Sequence, residues 1–334
     1  MTWQTPIISV LTCCYNAEDF VEGAIESILH QSYKEFEYLL VNDGSSDNTL
    51  SILKRYAAKD KRIVLIEQEH SGLTASLNLG LKQARGEWIA RLDADDICEP
   101  ARLQKQLTYV RANPQLVFVG SGCLEIDAKG NMIKNYRYPQ HHAGLLKNLR
   151  TALKFPPHSS TFYLTSAVRK IGGYRPRIQQ AQDMDLWLRL SEVGEFGCLT
   201  EPLVRIRKHD NQVSHEDSGR RQLIYSTVAL VSYFLHQSRF IDPVNADQES
   251  FDAFYAWIEQ QLKNQKMFAF RQFIEQLKAC FYSSLNLLAA VLEVIRLALR
   301  QPNQMLRFLR QRLIADNFAS RLAQEWIKQS YALS

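Results

Sequence analysis

The stretch Trp88 to Asp96, WIARLDADD, constrains the fold more than any other part of the chain. Trp88, Ile89, Ala90 and Leu92 form an apolar run of the length a buried central strand takes, and the run breaks off into three carboxylates, Asp93, Asp95 and Asp96. Like charges this close repel one another unless a cation or hydrogen bonds compensate them. Two carboxylates flanking a small residue, here Ala94, can point at one hard cation at about 2.1 Å per oxygen, and such a cation keeps positions open for water or phosphate oxygens. The bland alternative is a solvated acidic turn that caps the next helix. Pro100 at a predicted first helical position, with Leu103, Leu107 and Val110 at helical spacing behind it, favours a strand edge that leads into a helix. The cluster therefore predicts a site for a metal-bound diphosphate where the strand leaves its sheet.

The preceding chain alternates regularly. Residues 7–12 read as a buried strand, and residues 18–32 as a helix with Phe20, Val21, Ala24, Ile25, Ile28 and Leu29 on one face. A second strand at 36–42 runs into Asp43-Gly44-Ser45-Ser46-Asp47, where Gly44 permits a tight backbone and Ser46 or Asp47 can cap a helix through Leu50, Leu53 and Tyr56. A third strand at 63–66 precedes a helix carrying Leu73, Leu77, Leu81 and Ala84, closed by Gly86. Strands alternating with helices predict a doubly wound sheet with ligand groups at the carboxyl ends of its strands, and Asp43 converges there with the acidic cluster. Further on, residues 116–119 predict a strand, 127–130 a turn, 134–138 part of a hairpin and 161–164 a short strand.

Composition narrows the class. With 334 residues, 46% hydrophobic and 22% charged, the chain can bury the core of one large domain and a smaller one, and a net charge of +5 does not call for a nucleic-acid partner. The six cysteines form no CxxC pair or zinc spacing, and MTWQTPIISV lacks a basic-then-apolar signal segment, so reduced thiols and a cytoplasmic location are expected.

Three ordered stretches, SVLTCCYN, VNDGSSDNT and LNLGLKQARGEWIARLDADD, resemble the N-terminal half of a family 2 glycosyltransferase with the GT-A fold. The resemblance implies an α/β fold, a GT-A type doubly wound mixed sheet flanked by helices, with a catalytic domain over 1–215 and a helical C-terminal region over 216–334. It implies inverting, metal-dependent transfer of a sugar from a nucleotide-diphospho-sugar, a UDP-sugar by default, to an acceptor hydroxyl, with Mn2+ or Mg2+ as the divalent metal. Asp43 matches the aspartate that meets the nucleobase. Asp93, Ala94 and Asp95 match the DxD segment serving donor ribose and metal, with Asp95 the first ligand and Asp93 the second. Thr12, Cys13 and Tyr15 match the loop that walls the nucleotide, Cys13 standing where proline is common. Asn78 and Arg91 recur in one subgroup and are open to two readings: nucleotide contacts, or helix packing for Asn78 and a salt bridge for Arg91.

The second half carries fewer signals. His158, in FPPHSS, is either an acceptor- or diphosphate-side residue or a turn residue. Residues 179–190, QQAQDMDLWLRL, read as a helix with Asp183 on its first turn, where the dipole favours an anion, and Leu186, Trp187 and Leu190 on its buried side. This segment resembles the family's ED motif, whose aspartate is the general base, with Gln182 in place of the glutamate. A sugar hydroxyl is a weak nucleophile until its proton is accepted, a contribution of about 10²- to 10⁴-fold. The plainer reading of Asp183, and the preferred one for Asp185, is a helix N-terminal charge. A strand at 199–206 leads to Arg207-Lys208-His209, which resembles the family's closing segment and makes His209 a third metal ligand. Arg205, Arg207 and Lys208 either stabilise phosphate or are a solvated strand end.

Helical patterns at 228–235, 251–262, 268–281, 285–299 and 306–327 fill the remainder. The most apolar, LNLLAAVLEVIRLAL, is too short to span a membrane and is interrupted by Glu293 and Arg296. Within 285–313, Arg296, Arg300, Arg307 and Arg310 alternate with leucines, a pattern open to peripheral association with an anionic membrane at the inner face of the cell, or to packing and self-association. The implied partners are the nucleotide-sugar donor and a saccharide or lipid-linked saccharide acceptor, in bacterial surface polysaccharide or lipopolysaccharide synthesis. Two other classes compete. A sugar nucleotidyltransferase would carry a glycine-rich, basic N-terminal loop, which is absent, and a catalytically degenerate scaffold has only Gln182 and Cys13 in its favour.

Overall fold

Every residue of β1 (Ile8–Cys14) and β2 (Phe36–Asp43) is buried, the pattern of strands covered by helices on both faces. A computed structural model of the chain describes residues 6–151, 154–209, 219–264 and 318–330. The chain divides into two units, Met1–Gln212 and Val213–Ser334. In the first, β3 (Ile63–Gln68), β2, β1 and β4 (Trp88–Arg91) lie parallel in that order, with Ile8 opposite both Phe36 and Trp88. The sheet then turns mixed. β8 (Phe162–Leu164) is antiparallel to β4, β6 (Leu116–Ile126) antiparallel to β8, and β9 (Glu195–Arg207) parallel to β6. β5 (Ile97–Cys98) closes the row against β9, and β7 (Met132–Tyr136) forms a hairpin on β6 through the Asp127–Gly130 turn.

Helices α1 (Val21–Leu29), α2 (Thr49–Lys59) and α3 (Leu73–Gln83) make the crossovers between the parallel strands. Side chains alternate along a strand, so the registers put Leu11, Cys13, Asp43 and Arg91 on one face. Helix α3 packs on that face at very close range: a Cβ on Gly80 would meet Leu11 Cδ1 at 2.3 Å. The loops that follow β1 and β2 clasp each other. Asn16, at φ 46°, accepts the Ser46 N–H at 2.9 Å on Oδ1, and Glu18 Oε2 accepts from Asn48 N–H and Nδ2 at 2.9 and 2.7 Å. The N-cap of α2 is Asn48, with no side-chain cap hydrogen bond, rather than Ser46 or Asp47; Asp47, one residue earlier, accepts the Thr49 N–H at 2.9 Å and the Glu18 N–H at 3.1 Å.

Several boundaries differ from those read in the sequence. α1 begins at Val21 rather than 18, and α4 (Arg102–Ala112) begins two residues after Pro100. β9 starts at Glu195, four residues early, because Gly197, Thr200 and Glu201 interrupt its apolar alternation and its register with β6 shifts near Pro202. β5 is two residues long and carries no pattern of its own.

The remaining helices of this unit are α5 (His142–Arg150), α6 (Thr165–Lys170) and α7 (Gln182–Leu190). Asp185, expected to be only a helix-end charge, is fully buried in an ion network. It accepts from Arg175 Nε at 3.1 Å and from Nη2, and from Arg189 Nε and Nη2 at 3.0 and 2.8 Å. Arg189 also donates to the Ile171 and Gly173 carbonyls, so the network fixes α7 against the segment before it.

The second unit contains α8 (Arg220–Gln237), α9 (Gln248–Asn264) and α10 (318–330). Phe254 and Trp257 of α9 pack on Trp326 of α10, with ring centroids 4.9 and 5.1 Å apart. Among the described residues no helix is long and apolar enough to cross a membrane. The helical patterns at 268–281 and 285–299, most of 306–327 and the basic stretch within 285–313 lie outside the described residues.

Removing one member of a buried ion network strands its partners. Asp185→Ala is expected to lose about 3–5 kcal/mol of stability, measured as a lower urea midpoint at unchanged slope.

Candidate active site

The carboxyl ends of β1, β2 and β4 lie side by side, which brings Cys13, Asp43, Arg91 and the Asp93–Asp96 turn to one edge of the sheet. Arg91 is the buried cation of this edge. Its guanidinium is fully enclosed, donates to the carbonyls of Leu11 (3.2 Å) and Leu92, and pairs with Asp93 Oδ1 at 2.5 Å. Burial is the largest influence on the Asp93 pKa and would raise it, but Arg91 and the smaller contributions beside it, among them the Ser159 hydrogen bond, together hold the carboxyl below its usual range.

Ser159, in the 3-10 turn His158–Ser160, links two of the carboxylates. Its Oγ accepts the Asp93 N–H at 2.9 Å and lies 2.7 Å from Asp93 Oδ2 and 2.5 Å from Asp96 Oδ2. A hydroxyl has one hydrogen to give, so it cannot donate to both acids. The hydrogen goes to ionised Asp93, and Asp96 supplies its own to Ser159. That assignment agrees with Asp96's position, since burial, then Asp95 and Asp93, push its pKa well above the usual range. Asp96 Oδ1 accepts the Arg207 N–H at 2.9 Å from β9.

Asp95 is matched from the same strand end. His209 Nε2 lies 2.9 Å from Asp95 Oδ2, and Arg207 Nε donates to the Asp95 carbonyl at 3.0 Å. The His209 ring packs on Phe20 with centroids 4.7 Å apart, while its buried Nδ1 has no hydrogen-bond partner among the described residues. Burial and then Asp93 raise the Asp95 pKa, and the His209 hydrogen bond opposes them. Among the described residues no three His, Cys, Asp or Glu side chains form a group able to hold a metal.

Asp43 lies at the adjacent strand end, tied to the loop after β3. Its Oδ1 accepts the Ser71 N–H at 2.9 Å and Gln68 Nε2 at 2.5 Å; Oδ2 accepts the Gly72 N–H at 2.9 Å and lies 3.0 Å from His70 Nδ1. Burial would raise its pKa, but these donors together lower it. Gly72, at φ 87°, turns this loop into α3. Tyr15 is half exposed and stacks on His70 at 4.0 Å.

On the far side Ala181, at φ 55° and ψ 28°, swings the chain into α7 and sets Asp183 on the first turn. Asp183 Oδ1 accepts the Met184 N–H at 2.8 Å. Burial raises the Asp183 pKa; the Met184 N–H opposes this, and the charge of Asp93 adds to the rise, so the two carboxylates sense each other.

Other predicted residues sit deeper. Thr12 is fully buried with its hydroxyl 3.1 Å from Tyr38 Oη, and burial pushes the Cys13 thiol up to about 12. Asn78 binds the Tyr174 backbone through both amide atoms, at 2.7 and 2.9 Å, which ties α3 to the segment before α7. His158 faces Tyr174 Oη at 2.9 Å, and burial followed by Arg91 pushes its pKa down to about 3, so it is neutral. Sequence reasoning missed Ser159, His70, Ser71 and Gly72. Only the serine and glycine content of their loops hinted at them.

Residues 9–172 match the glycosyl transferase family 2 model, and the chain is 37% identical over 228 residues to a putative glycosyltransferase, EpsE, of Bacillus subtilis, covering 66% of this chain and 78% of that one. The chain belongs to glycosyl transferase family 2. Another relative is the O-antigen biosynthesis glycosyltransferase WbnJ of Escherichia coli, 31% identical, with 61% of this chain and 80% of that one aligned. Solved structures share the fold, and two of them serve as examples. They are S. aureus TarS 1–349 in complex with UDP-GlcNAc (TM-score 0.57, 18% identity, 97% of this chain and 92% of that one) and the mannosyltransferase PcManGT from Pyrobaculum calidifontis with GDP-Man and Mn2+ (0.52, 21%, 95% and 87%). The α/β fold with a mixed sheet and the glycosyltransferase activity expected from the sequence are both met.

The protonated state of Asp96 in this family 2 member has a testable consequence. Asp96→Asn, isosteric with the neutral acid, is expected to keep wild-type thermal stability, whereas Asp96→Ala leaves the Arg207 N–H unpaired and loses about 1–3 kcal/mol. Because the folded-state pKa of Asp96 lies above its unfolded value, its contribution is full at low pH and declines as pH rises through the folded value. Melting curves across pH should show that decline in the wild type and less of it in Asp96→Asn.

Proposed function

We propose that the protein transfers a sugar, with inversion, from a nucleotide-diphospho-sugar to an acceptor hydroxyl, assisted by a divalent metal, in the building of a bacterial surface polysaccharide. The supporting observation is the arrangement of the carboxylates. Asp95 and His209 form one pair at the strand edge, and Asp183, from a different element, feels the field of Asp93 beside them.

The Asp95 and His209 side chains fit a hard cation such as Mn2+ or Mg2+. Two ligand atoms at right angles on a cation with bonds of about 2.1 Å are about 3.0 Å apart, and Asp95 Oδ2 and His209 Nε2 are separated by 2.9 Å. The raised Asp95 pKa also marks a carboxylate short of positive charge. Such cations are commonly held by one or two side chains and completed by water and substrate phosphates. Bound there, the metal supplies positive charge to the departing nucleoside diphosphate. Asp93, with one oxygen on Arg91 and the other on Ser159, is a fixed carboxylate better suited to the donor ribose than to direct ligation.

Asp43 takes the nucleobase, Tyr15 supplies an aromatic face beside it, and Asp183 accepts the acceptor's proton as the bond forms. A raised pKa brings Asp183 nearer the operating pH, which strengthens it as a base. TarS was solved with UDP-GlcNAc and PcManGT with GDP-Man, and WbnJ is named for O-antigen biosynthesis, which supports this donor class and setting. We place the catalytic domain over 1–215 and regard the helical region beyond it as an accessory element.

Thermal melting with UDP, GDP, dTDP and CDP, each with and without Mn2+, tests the reading. A ligand at about 100 times its dissociation constant adds roughly 2.7 kcal/mol. One nucleotide is expected to stabilise the protein in a metal-dependent way, and Asp95→Ala to lose that shift. Asp183→Asn should keep the shift and lose transfer by at least about 10²-fold. Since the base acts ionised, wild-type transfer should fall as pH drops through the raised Asp183 value. No shift with any nucleotide, or full transfer by Asp183→Asn, contradicts the proposal.

A further inference from the structure

The Asp43 carboxylate has no acceptor capacity left. An ionised carboxylate offers about four lone-pair sites, and all are taken: Oδ1 by Ser71 N–H and Gln68 Nε2, Oδ2 by Gly72 N–H and His70 Nδ1. A nucleobase that donates its ring N–H to Asp43 must therefore displace one of these donors. Three are not free to leave. Ser71 and Gly72 donate from the backbone, and Gly72 also accepts the Ser76 N–H and hydroxyl at the start of α3. Gln68 is held on its other side by the Ser76 hydroxyl at 2.9 Å. Displacing either N–H would move the loop that opens α3, and displacing Gln68 would also break its bond to Ser76.

His70 differs on each count. Its side chain is 53% exposed, so it can exchange Asp43 for water without leaving a buried group unpaired. Its Nδ1 also lies 3.2 Å from the Asp43 carbonyl, and since both neighbours are acceptors, Nδ1 carries the hydrogen. The imidazole covers one face of Tyr15 at 4.0 Å, so moving it frees both the carboxylate site and an aromatic face of the kind a base stacks on.

We propose that His70 caps the nucleobase subsite and that the donor's base replaces it, its ring N–H taking the place of His70 Nδ1 on Asp43. This rests on the assignment of Asp43 to the base. Binding is then an exchange of one hydrogen bond for another, and His70 acts as a specificity residue. Uracil, thymine and guanine carry a ring N–H and can replace the imidazole. Cytosine has a bare ring nitrogen, whose lone pair would face the carboxylate.

Titration calorimetry of the full-length protein with UDP, GDP and CDP in the presence of Mn2+ tests the exchange. His70→Ala is expected to bind its preferred nucleotide about 2- to 10-fold tighter than wild type, the range of one net hydrogen bond, with no gain for CDP. His70→Asn, whose amide nitrogen stands where Nδ1 stands, should return to wild-type affinity although the ring is gone. Weaker or unchanged binding by His70→Ala overturns the proposal, as does His70→Asn behaving like the alanine variant. Asp43→Asn separates the two levels: if it binds as wild type does, the base does not sit on Asp43, and the assignment fails whatever His70 does.

Discussion

The structure depends on how three carboxylates, placed within four residues at the end of a buried strand, are kept from repelling one another. Each is handled differently. Asp93 stays ionised against the enclosed Arg91 guanidinium, Asp96 keeps its proton and shares it with Ser159 in a hydrogen bond, and Asp95 is matched by His209. These three solutions draw on distant parts of the chain. Ser159 belongs to the turn before β8, Arg207 to the end of β9 and His209 to the segment just after it. The antiparallel return of β8 and the long β9 are thus the elements that neutralise β4.

A second buried arginine supports the first. Arg102 is fully enclosed and donates to the carbonyls of Arg91 and Thr161, both at 2.9 Å, while its Nε reaches Gln106 at 2.9 Å. Gln106 in turn donates to the Ser160 carbonyl at 2.9 Å. α4 therefore fixes the turn that carries Ser159, and with it the hydrogen bonds of the acidic cluster. On the other side, Asn78 and the Arg175–Asp185–Arg189 network fix the approach to α7, so Asp183 is carried on an element held independently of the acidic edge. The proposed base and the proposed leaving-group site thus stand on separately braced elements, as the proposed in-line reaction requires.

Much of this was legible in the sequence. The parallel half of the sheet follows from short apolar runs between amphipathic helices, and Asp43 and Asp95 could be placed at strand ends because a strand that stops in Asp-Gly or Asp-Ala-Asp-Asp exposes those groups at the sheet's edge. The place of Asp183 on the first turn of α7 followed from helical spacing, while its role as a base came from the resemblance alone. What could not be read were pairings between segments far apart. Nothing local shows that Ser159 must share hydrogens with Asp93 and Asp96, or that Asp185, two residues from Asp183 in a similar setting, is enclosed by two arginines. Arg175 and Arg189 bind Asp185, whereas Asp183 accepts the Met184 N–H. His70 was invisible for the same reason, since its partners Asp43 and Tyr15 come from other strand ends. β5 was missed because two residues cannot express a period.

The central claim is that the sugar is displaced in line, with Asp183 on one side of the anomeric carbon and the diphosphate on the other. The measurement that bears on it most directly is the anomeric configuration of the first-formed product, followed by proton NMR with whichever nucleotide sugar the protein binds. An α-linked donor should give a β product at the earliest time points. An α-linked product would contradict the account and place a nucleophile where it has a base.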